Sequence, residues 1–313
     1  MQYRRLGKTN LQVSEVGFGA WQLGNNDQWG GMKDSTAHEL VAEALDKGIN
    51  LFDTAPNYAK TNSERLLGES LAGKRQDVIL VSKFGHRHDG ANDFSAEWFW
   101  QSLHASLERL NTDYLDVMLV HSPPLDVLNG EHEIWAAMKQ AQQEGKIRFY
   151  GASTDYAYQV QETLDTTDAQ VLELLFNVLH QDVRLAFDKV RRDDVGVITK
   201  VPLDSGWLSG KFNAQSQFDG VRQRWSQGDI RQRAELVEQL AWLTEDGSPL
   251  AQKALAYLLS YDEVSCVIPG VRSLDQLHTN LDASGHRLTA AERLKLEQFW
   301  DGFTHQGRDL LPW

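Results

Sequence analysis

The chain has 313 residues, of which 41% are hydrophobic, and its formal net charge is −13. This length suits one α/β barrel, usually about 250 residues plus insertions, so we expect a single domain over residues 1–313. The acidic charge disfavours nucleic acid and anionic membrane surfaces, and no window approaches the ~18 apolar residues of a membrane span, so we expect a small-molecule partner. The single cysteine, Cys266, excludes an intramolecular disulfide, and the N-terminus lacks an apolar secretion signal, so we expect a cytoplasmic protein.

Short apolar runs typical of strands alternate with longer segments of helical period from residue 16 onward. Ahead of them, residues 3–6 and 12–13 flank Gly7-Lys8-Thr9-Asn10, which predicts a β-hairpin. The predicted strands are residues 16–19, 50–53, 78–82, 115–120, 147–151, 171–176, 197–201 and 265–268. The predicted helices are residues 35–47, 63–71, 96–109, 133–144, 156–164, 185–193 and 274–283. Eight successive βα units predict a (β/α)8 TIM barrel of the α/β class, with the hairpin as a plug in its floor.

Three segments exceed the usual length of a connection, namely residues 21–34, 123–132 and 203–228. Long loops in compact domains are commonly lids or binding loops, so we predict that these three lie on the catalytic face. After the last βα unit, Thr289-Ala-Ala-Glu292 is a capping box, which predicts a final helix ending at about Trp300.

Four polar residues, Asp53, Tyr58, Lys83 and His121, lie at or just beyond the ends of consecutive predicted strands. Singly, each has an ordinary interpretation as a turn residue, a surface aromatic, a solvated lysine or a core histidine. Strand ends of parallel α/β proteins converge on one point, so together they predict a proton-transfer site. Such a site can protonate a carbonyl oxygen or deprotonate an alcohol, with a lysine beside a tyrosine favouring the phenolate. Because no side chain donates hydride, a nicotinamide cofactor is implied.

The chain resembles the aldo-keto reductases, in particular the bacterial NADP(H)-dependent type, in residues 48–58, 63–68, 82–83, 115–124 and 267–273. The resemblance covers nearly the whole chain in the expected order. It implies a (β/α)8 barrel and a catalytic tetrad. In that tetrad Tyr58 is the general acid and base, Lys83 lowers its pKa, Asp53 positions Lys83, and His121 orients the carbonyl.

Two glycine-rich segments, residues 17–24 and 206–212, lack the spacing of a Rossmann turn and of a P-loop. The best anion site is residues 269–276, which include Gly270 and where Ser273 and Gln276 predict a capping box beside Arg272. An ordinary capped helix with a surface arginine is the alternative for this motif. No metal site is predicted.

The resemblance implies that Arg272, Gln276 and Asn280 bind the adenosine end of the cofactor and its 2′-phosphate. It therefore implies NADP(H), with NAD(H) as the alternative. Further cofactor contacts are implied for Ser153, Glu173, Asn177, Lys200, Leu203, Ser205, Leu208 and Ser209. Three positions depart from the family pattern, since Thr154 replaces the asparagine that usually follows the serine at 153, Glu173 replaces a common glutamine, and Lys200 replaces the aromatic that stacks on the nicotinamide. Lys200 is expected to pair with Glu173 or with a cofactor phosphate.

Trp21, Trp29 and Trp225 lie on predicted loops and are candidates to line the substrate pocket, although tryptophan is as a rule a core residue. We expect an NADPH-dependent reductase of aldehydes or ketones, with sugars among the candidate substrates. The alternatives are an NAD-linked sugar or polyol dehydrogenase and a nucleotide-sensing binding protein similar to potassium-channel β subunits. The sequence gives no prediction of the oligomeric state.

Overall fold

The computed structural model describes residues 1–312. A two-stranded antiparallel hairpin comes first, formed by β1 (Tyr3–Arg5) and β2 (Gln12–Ser14). The eight strands of the main sheet are β3 (Phe18–Gly19), β4 (Leu51–Asp53), β5 (Ile79–Phe84), β6 (Leu115–His121), β7 (Ile147–Thr154), β8 (Val171–Leu175), β9 (Gly196–Lys200) and β10 (Val264–Val267). The helices are α1 (Asp34–Asp46), α2 (Asn62–Ser70), α3 (Ala96–Arg109), α4 (Leu125–Leu128), α5 (Glu133–Gln143), α6 (Ala157–Thr166), α7 (Phe187–Arg192), α8 (Gln227–Glu238), α9 (Leu250–Leu259), α10 (Leu274–Leu281) and α11 (Ala290–Phe303).

The main sheet is parallel throughout, and its spatial order from β3 to β10 follows the order of the chain. Isolated parallel bridges join the two edges of the sheet, one of them between Val16 and Val267, so the sheet curls into a barrel. The register places Ser153 beside both His121 and Glu173. The C-terminal ends of neighbouring strands therefore bring these side chains together at one end of the barrel.

The eight predicted strands and the predicted hairpin are confirmed, with boundaries that differ by one to three residues. The sequence pattern did not predict α4, α8 and α9. Helix α9 is buried on nearly all sides, with Ala254 through Leu259 inaccessible, so it has no polar face to reveal a helical period. Helix α8 is the opposite case, since most of its residues are polar and Ile230 is among its few buried apolar side chains.

The interior of the barrel is filled by alternate strand residues, as expected for a packed core. They are Leu51, Ile79, Val81, Val117, Leu119, Val171, Ile198 and Cys266. Leu6 and Val13 from the hairpin belong to the same buried cluster. The hairpin therefore closes the N-terminal end of the barrel and leaves the C-terminal end open for a site.

The hairpin is also bonded to the C-terminal part of the chain through Arg4. Its guanidinium donates hydrogen bonds to the carbonyl oxygens of Leu259, Tyr261 and Val264 at 2.5, 2.9 and 2.6 Å. It also forms a 2.7 Å ion pair with the buried Glu15. The first strand of the chain is thus attached to the segment that leads into the last strand.

Within residues 1–312, none of the helices has both the length and the apolar character that crossing a bilayer requires.

Candidate active site

A cavity of about 610 Å³ opens at the C-terminal ends of the barrel strands. Its volume lies in the range of small-molecule sites. Among the predicted site residues, those that line it are Trp21, Trp29, Asp53, Tyr58, His121, Glu173, Lys200, Leu203, Ser205, Ser209, Gly270, Arg272, Gln276 and Asn280. The structure therefore brings most of the predicted site residues to one cavity. Among the described residues, no group of three or more His, Cys, Asp or Glu side chains is arranged to bind a metal ion.

Asp53 and Lys83 form a buried ion pair at the ends of β4 and β5. The Lys83 ammonium donates to both oxygens of the Asp53 carboxylate at 2.6 Å and to the Thr54 carbonyl at 3.1 Å. Both side chains are almost fully buried. A lysine can remain charged at such a depth only because a carboxylate compensates it.

A second carboxylate, that of Glu173 on β8, also contacts Lys83. Its Oε2 lies 3.1 Å from the lysine Nζ, which makes an ion pair, but the geometry does not meet the criteria of a hydrogen bond. Its Oε1 accepts a hydrogen bond from the Ser153 hydroxyl at 3.0 Å. Burial opposes the lysine charge, but the carboxylates of Asp53 and Glu173 outweigh it and raise the Lys83 pKa. Burial and the charge of Glu173 raise the Asp53 pKa well above its usual range.

Tyr58 begins a short 3-10 turn (Tyr58–Thr61) after β4, where Ala59 and Lys60 have positive φ angles. The Lys83 Nζ lies 5.2 Å from the centroid of its ring, and the Trp21 ring is 6.1 Å away. Burial raises the pKa of the Tyr58 phenol, and the nearby Lys83 offsets only part of that rise. Lys83 acts in the expected direction, since it lowers the pKa of the phenol, but burial and the carboxylates of Asp53 and Glu173 outweigh its effect.

His121 ends β6 and faces Tyr58, with 5.9 Å between the two ring centroids. On its other side it stacks on His86, with centroids 4.5 Å apart and planes inclined by 15°. Burial and the charge of Lys83 lower the His121 pKa well below its usual value, and burial and Lys200 lower that of His86. Both rings are consequently neutral near pH 7, and a neutral imidazole can donate one hydrogen bond to a carbonyl oxygen.

Lys200, at the end of β9, lies in the floor of the cavity. It forms a 2.8 Å ion pair with Asp155 and donates hydrogen bonds to the hydroxyls of Ser153 at 2.8 Å and Ser122 at 3.2 Å. The ion-pair partner of Lys200 is thus Asp155 and not Glu173, which corrects the first of the two expected pairings. The lysine remains close enough to Glu173 to help lower the pKa of that carboxyl, against the effect of burial and together with Lys83.

The opposite end of the cavity contains the predicted anion site after β10. Ser273 caps α10 by accepting from the Gln276 amide, whereas the Gln276 side chain accepts from the Arg272 amide at 2.9 Å. In a complete capping box the Gln276 side chain would accept from the Ser273 amide. Here it accepts from the Arg272 amide, so only the first bond of the predicted capping box is formed. Asn280 is buried, and its Nδ2 has no hydrogen-bond partner among residues 1–312. An unpaired buried donor beside a helix N-terminus and an arginine fits the phosphate and adenine end of a dinucleotide.

Three of the predicted cofactor residues do not line the cavity. Ser153 is buried behind Glu173 and Lys200, and Leu208 belongs to the hydrophobic core. Asn177 donates to the Val201 carbonyl at 3.0 Å, so it fixes the backbone where the chain leaves β9. Ser153 and Asn177 lie at or just after strand ends, where alternation along a short strand does not define the side-chain direction, and Leu208 lies in the 3-10 turn Asp204–Ser209.

Of the three predicted pocket tryptophans, Trp21 and Trp29 line the cavity and contact each other edge to face at 5.0 Å. Trp225 lies outside it, in a separate cluster with Trp207 and Ile230. Sequence reasoning missed Arg222, whose guanidinium lies 4.7 Å from the Trp29 ring centroid and donates to the Ser205 carbonyl at 2.8 Å. Its location in the glycine- and arginine-rich segment after β9 was the available signal.

An α/β barrel with a buried carboxylate and lysine beside a partly buried tyrosine and histidine at its strand ends has the form of a carbonyl-handling oxidoreductase. A model of the Aldo/keto reductase family matches residues 15–301. The chain belongs to this family, and it is an NAD(P)H-dependent oxidoreductase.

Individual relatives cover nearly the full length of the chain. The solved structure of aldo-keto reductase AKR11C1 from Bacillus halodurans in its holo form is 29% identical with a TM-score of 0.82, over 96% of each chain. L-galactose dehydrogenase from Arabidopsis thaliana is 31% identical over 95% of this chain and 91% of its own. A probable voltage-gated potassium channel subunit beta from the same plant is 29% identical over 90% of this chain and 91% of its own.

Proposed function

We propose that this protein reduces aldehydes or ketones, sugars among them, to alcohols with NADPH as the hydride donor and Tyr58 as the general acid. The observation that carries the proposal is the position of the Tyr58 phenol at the cavity wall, beside the Lys83 ammonium and opposite His121. The phenol, whose pKa burial raises, keeps its proton at neutral pH and can donate it.

A nicotinamide cofactor held by Glu173 at one end of the cavity and by Arg272 and Asn280 at the other would supply a hydride, with its two electrons, for the carbonyl carbon. Tyr58 gives its proton to the carbonyl oxygen as negative charge develops there, and takes one back from water afterwards. His121, neutral at this depth, donates a hydrogen bond to the same oxygen and orients it. Lys83 stabilises the phenolate that is left, and Asp53 fixes the lysine in place.

The proposed cofactor residues lie at the two ends of the cavity. Glu173 can accept a hydrogen bond from the carboxamide at the nicotinamide end. Arg272 and Asn280 are placed for the 2′-phosphate and adenine at the other end, and Leu203, Ser205 and Ser209 lie along the wall between them. This distribution supports NADPH over NADH. We also propose that the enzyme is a single barrel domain of the cytoplasm, since a lone cysteine suits a reducing compartment.

The test is to mix the purified protein with NADPH or NADH and a panel of aldehydes, ketones and aldoses, and to follow the cofactor absorbance. Replacement of Tyr58 by Phe removes the acid and leaves the ring, so turnover is expected to fall by about 10²- to 10⁴-fold with unchanged circular dichroism. Full turnover by Tyr58→Phe in a chemistry-limited assay would show that another group is the acid.

Cofactor choice is tested separately with Arg272→Ala. A lost charge-assisted hydrogen bond is worth about 1.5–3 kcal/mol, so the Michaelis constant for NADPH should rise about 10- to 100-fold while that for NADH changes little. Equal effects on the two cofactors would remove the proposed contact to the 2′-phosphate.

A second candidate function is an NAD-linked sugar dehydrogenase, which the similarity to L-galactose dehydrogenase favours. Oxidation of aldoses with NAD⁺, without reduction of simple aldehydes by NADPH, would select it. The similarity to a channel subunit supports a third candidate, a nucleotide-sensing binding protein. Tight cofactor binding without turnover of any carbonyl or alcohol in the panel would select that one.

A further inference from the structure

Lys83 has three acceptor groups around its ammonium instead of a single carboxylate. An ammonium has three N–H donors. The two Asp53 oxygens accept from it at 2.6 Å and the Thr54 carbonyl at 3.1 Å, and Oε2 of the Glu173 carboxylate lies 3.1 Å away as an ion-pair partner. All three charged side chains are buried. Two carboxylates therefore compensate the positive charge of Lys83, which weakens the effect of that charge on the ionisation of Tyr58.

We propose that Glu173 is a second carboxylate partner of Lys83 that keeps the Tyr58 phenol in its protonated, hydrogen-donating form up to alkaline pH. Glu173 would thus be a positioning residue that acts on Tyr58 through Lys83, in addition to any contact with the cofactor. This inference rests on the proposed role of Tyr58 as the acid, and it concerns how the phenol is kept protonated.

The charges around the phenol support this assignment. Three carboxylates, those of Asp53, Asp155 and Glu173, face two lysines, Lys83 and Lys200. With the three carboxylates ionised and both lysines protonated, the group has one negative charge in excess. A phenolate would add another in a region of low dielectric, where like charges interact strongly.

The other titratable groups that face this region do not supply a compensating positive charge. His121 and His86, from β6 and the segment after β5, have pKa values lowered by burial and by the neighbouring lysines. Cys266 on β10, near Asp53, has its thiol pKa raised by burial and is neutral. The excess negative charge therefore depends on Glu173, because a neutral amide at this position would leave each lysine with one carboxylate.

Glu173→Gln is the decisive variant, because glutamine has the same shape and its carbonyl oxygen can still accept from Ser153. The ionisation of Tyr58 is measured first without substrate, from the ultraviolet absorbance of tyrosinate in an alkaline titration. Subtracting the same titration of a matched Tyr58→Phe variant isolates Tyr58 from the other tyrosines. We expect the Tyr58 signal in Glu173→Gln to move to lower pH by at least about one unit.

The second measurement is the pH profile of kcat/KM for carbonyl reduction at saturating NADPH, between about pH 5 and about pH 10.5, which reports the ionisation of the essential acid. We expect the alkaline limb of Glu173→Gln to move down with its tyrosinate signal. Glu173→Asp, which retains the charge, should remain close to the wild type. Glu263→Gln is the control, because Glu263 pairs with Arg191 away from the cavity, and its limb should match the wild type.

Either of two results overturns the inference: a Tyr58 signal in Glu173→Gln at the wild-type pH or above it, or a Glu173→Asp variant that behaves like Glu173→Gln. If Glu173→Gln does not fold, Glu173→Met takes its place as a neutral variant of similar volume. Its Tyr58 signal must then lie at lower pH than that of the wild type, and a signal at the wild-type pH rejects the inference. If no carbonyl is reduced, the proposed function fails, while the tyrosinate titration still tests Glu173 independently.

Discussion

Asp204 and Arg233 form a buried ion pair next to the part of the cavity wall that contains Ser205 and Ser209. This pair provides a test of what stabilises the shape of the cavity. Arg233 Nε lies 3.1 Å from Asp204 Oδ2, and both side chains are inaccessible to solvent. The guanidinium also donates to the Pro312 carbonyl at 2.5 Å and lies 4.8 Å from the Trp225 ring centroid. Asp204 belongs to the turn after β9 and has a positive φ angle of 46°, so the pair fixes a strained segment.

Arg233→Met fills much of the same volume without the charge. Removing one partner of a buried pair costs about 3–5 kcal/mol, and we expect the lower value, about 3 kcal/mol, because His180 still lies 3.3 Å from Asp204. With about 2.1 cal/mol/K of unfolding entropy per residue, 313 residues give about 0.66 kcal/mol/K, so Tm should fall by about 5 °C. Because Ser205 and Ser209 follow in the same turn, NADPH binding should weaken as well.

The assay is thermal unfolding by circular dichroism, paired with NADPH affinity from protein fluorescence. The double variant Asp204→Asn with Arg233→Met is the control, since asparagine tolerates a positive φ and removes the uncompensated charge. It should recover at least about 1 kcal/mol relative to Arg233→Met. The reasoning is refuted if Arg233→Met unfolds at the wild-type temperature, or if the double variant is the less stable of the two.

The same ion pair predicts the response to acid. Burial opposes the charge of Asp204, but hydrogen bonds from His180 and the charge of Arg233 outweigh it and lower the Asp204 pKa below 3.8. A carboxyl with a depressed folded-state pKa contributes stability above its unfolded pKa and loses it as the pH falls through the folded value. The gap in Tm between the wild type and Asp204→Asn should therefore be largest near neutral pH and narrow below about pH 4.

Two further predictions concern the cofactor floor and the barrel itself. Lys200→Tyr places a ring where the lysine lies, and stacking worth about 0.5–1.5 kcal/mol should tighten NADPH binding about 2- to 10-fold; unchanged affinity and unchanged cofactor preference, measured by fluorescence titration, would contradict the importance of this position. Gly151→Ala should remove at least about 4 kcal/mol of stability, because its Cβ would lie 1.7 Å from the Val171 carbonyl oxygen in the neighbouring strand. Gly302→Ala, which has no atom within 4 Å of the added carbon, is the matched control, and equal Tm values for the two variants would contradict this explanation.

The strand order was predictable from the sequence because each barrel strand is a short apolar run that ends at a turn or a polar residue. Asp53, Lys83 and His121 are recognisable for the same reason, since they interrupt such runs at the point where parallel strands end. Helix α9 was not predictable, because a helix buried on nearly every side shows no periodic polar face.

The site was less predictable where the outcome depends on distances between side chains. That Glu173 and Lys200 replace the usual residues is evident from the chain, but their partners are not. Lys200 contacts Asp155 and Glu173 contacts Lys83, and both pairings depend on how strands distant in sequence are aligned. Trp225 shows the same limit, since its loop could face the cavity or the cluster around Trp207.

The attachment of Arg4 to the carbonyl oxygens before β10 has a consequence for the order of folding. Its partners, Leu259, Tyr261 and Val264, are more than 250 positions away along the chain, and the bridge between Val16 and Val267 has a similar separation. Contacts of such long range form late, because the entropy of closing the intervening loop opposes them. During synthesis the ribosome must therefore release nearly the whole polypeptide before the ring of strands can close. Until then, the hairpin remains without its C-terminal partner, and its apolar residues Leu6 and Val13 lack part of the barrel cluster that covers them in the folded protein.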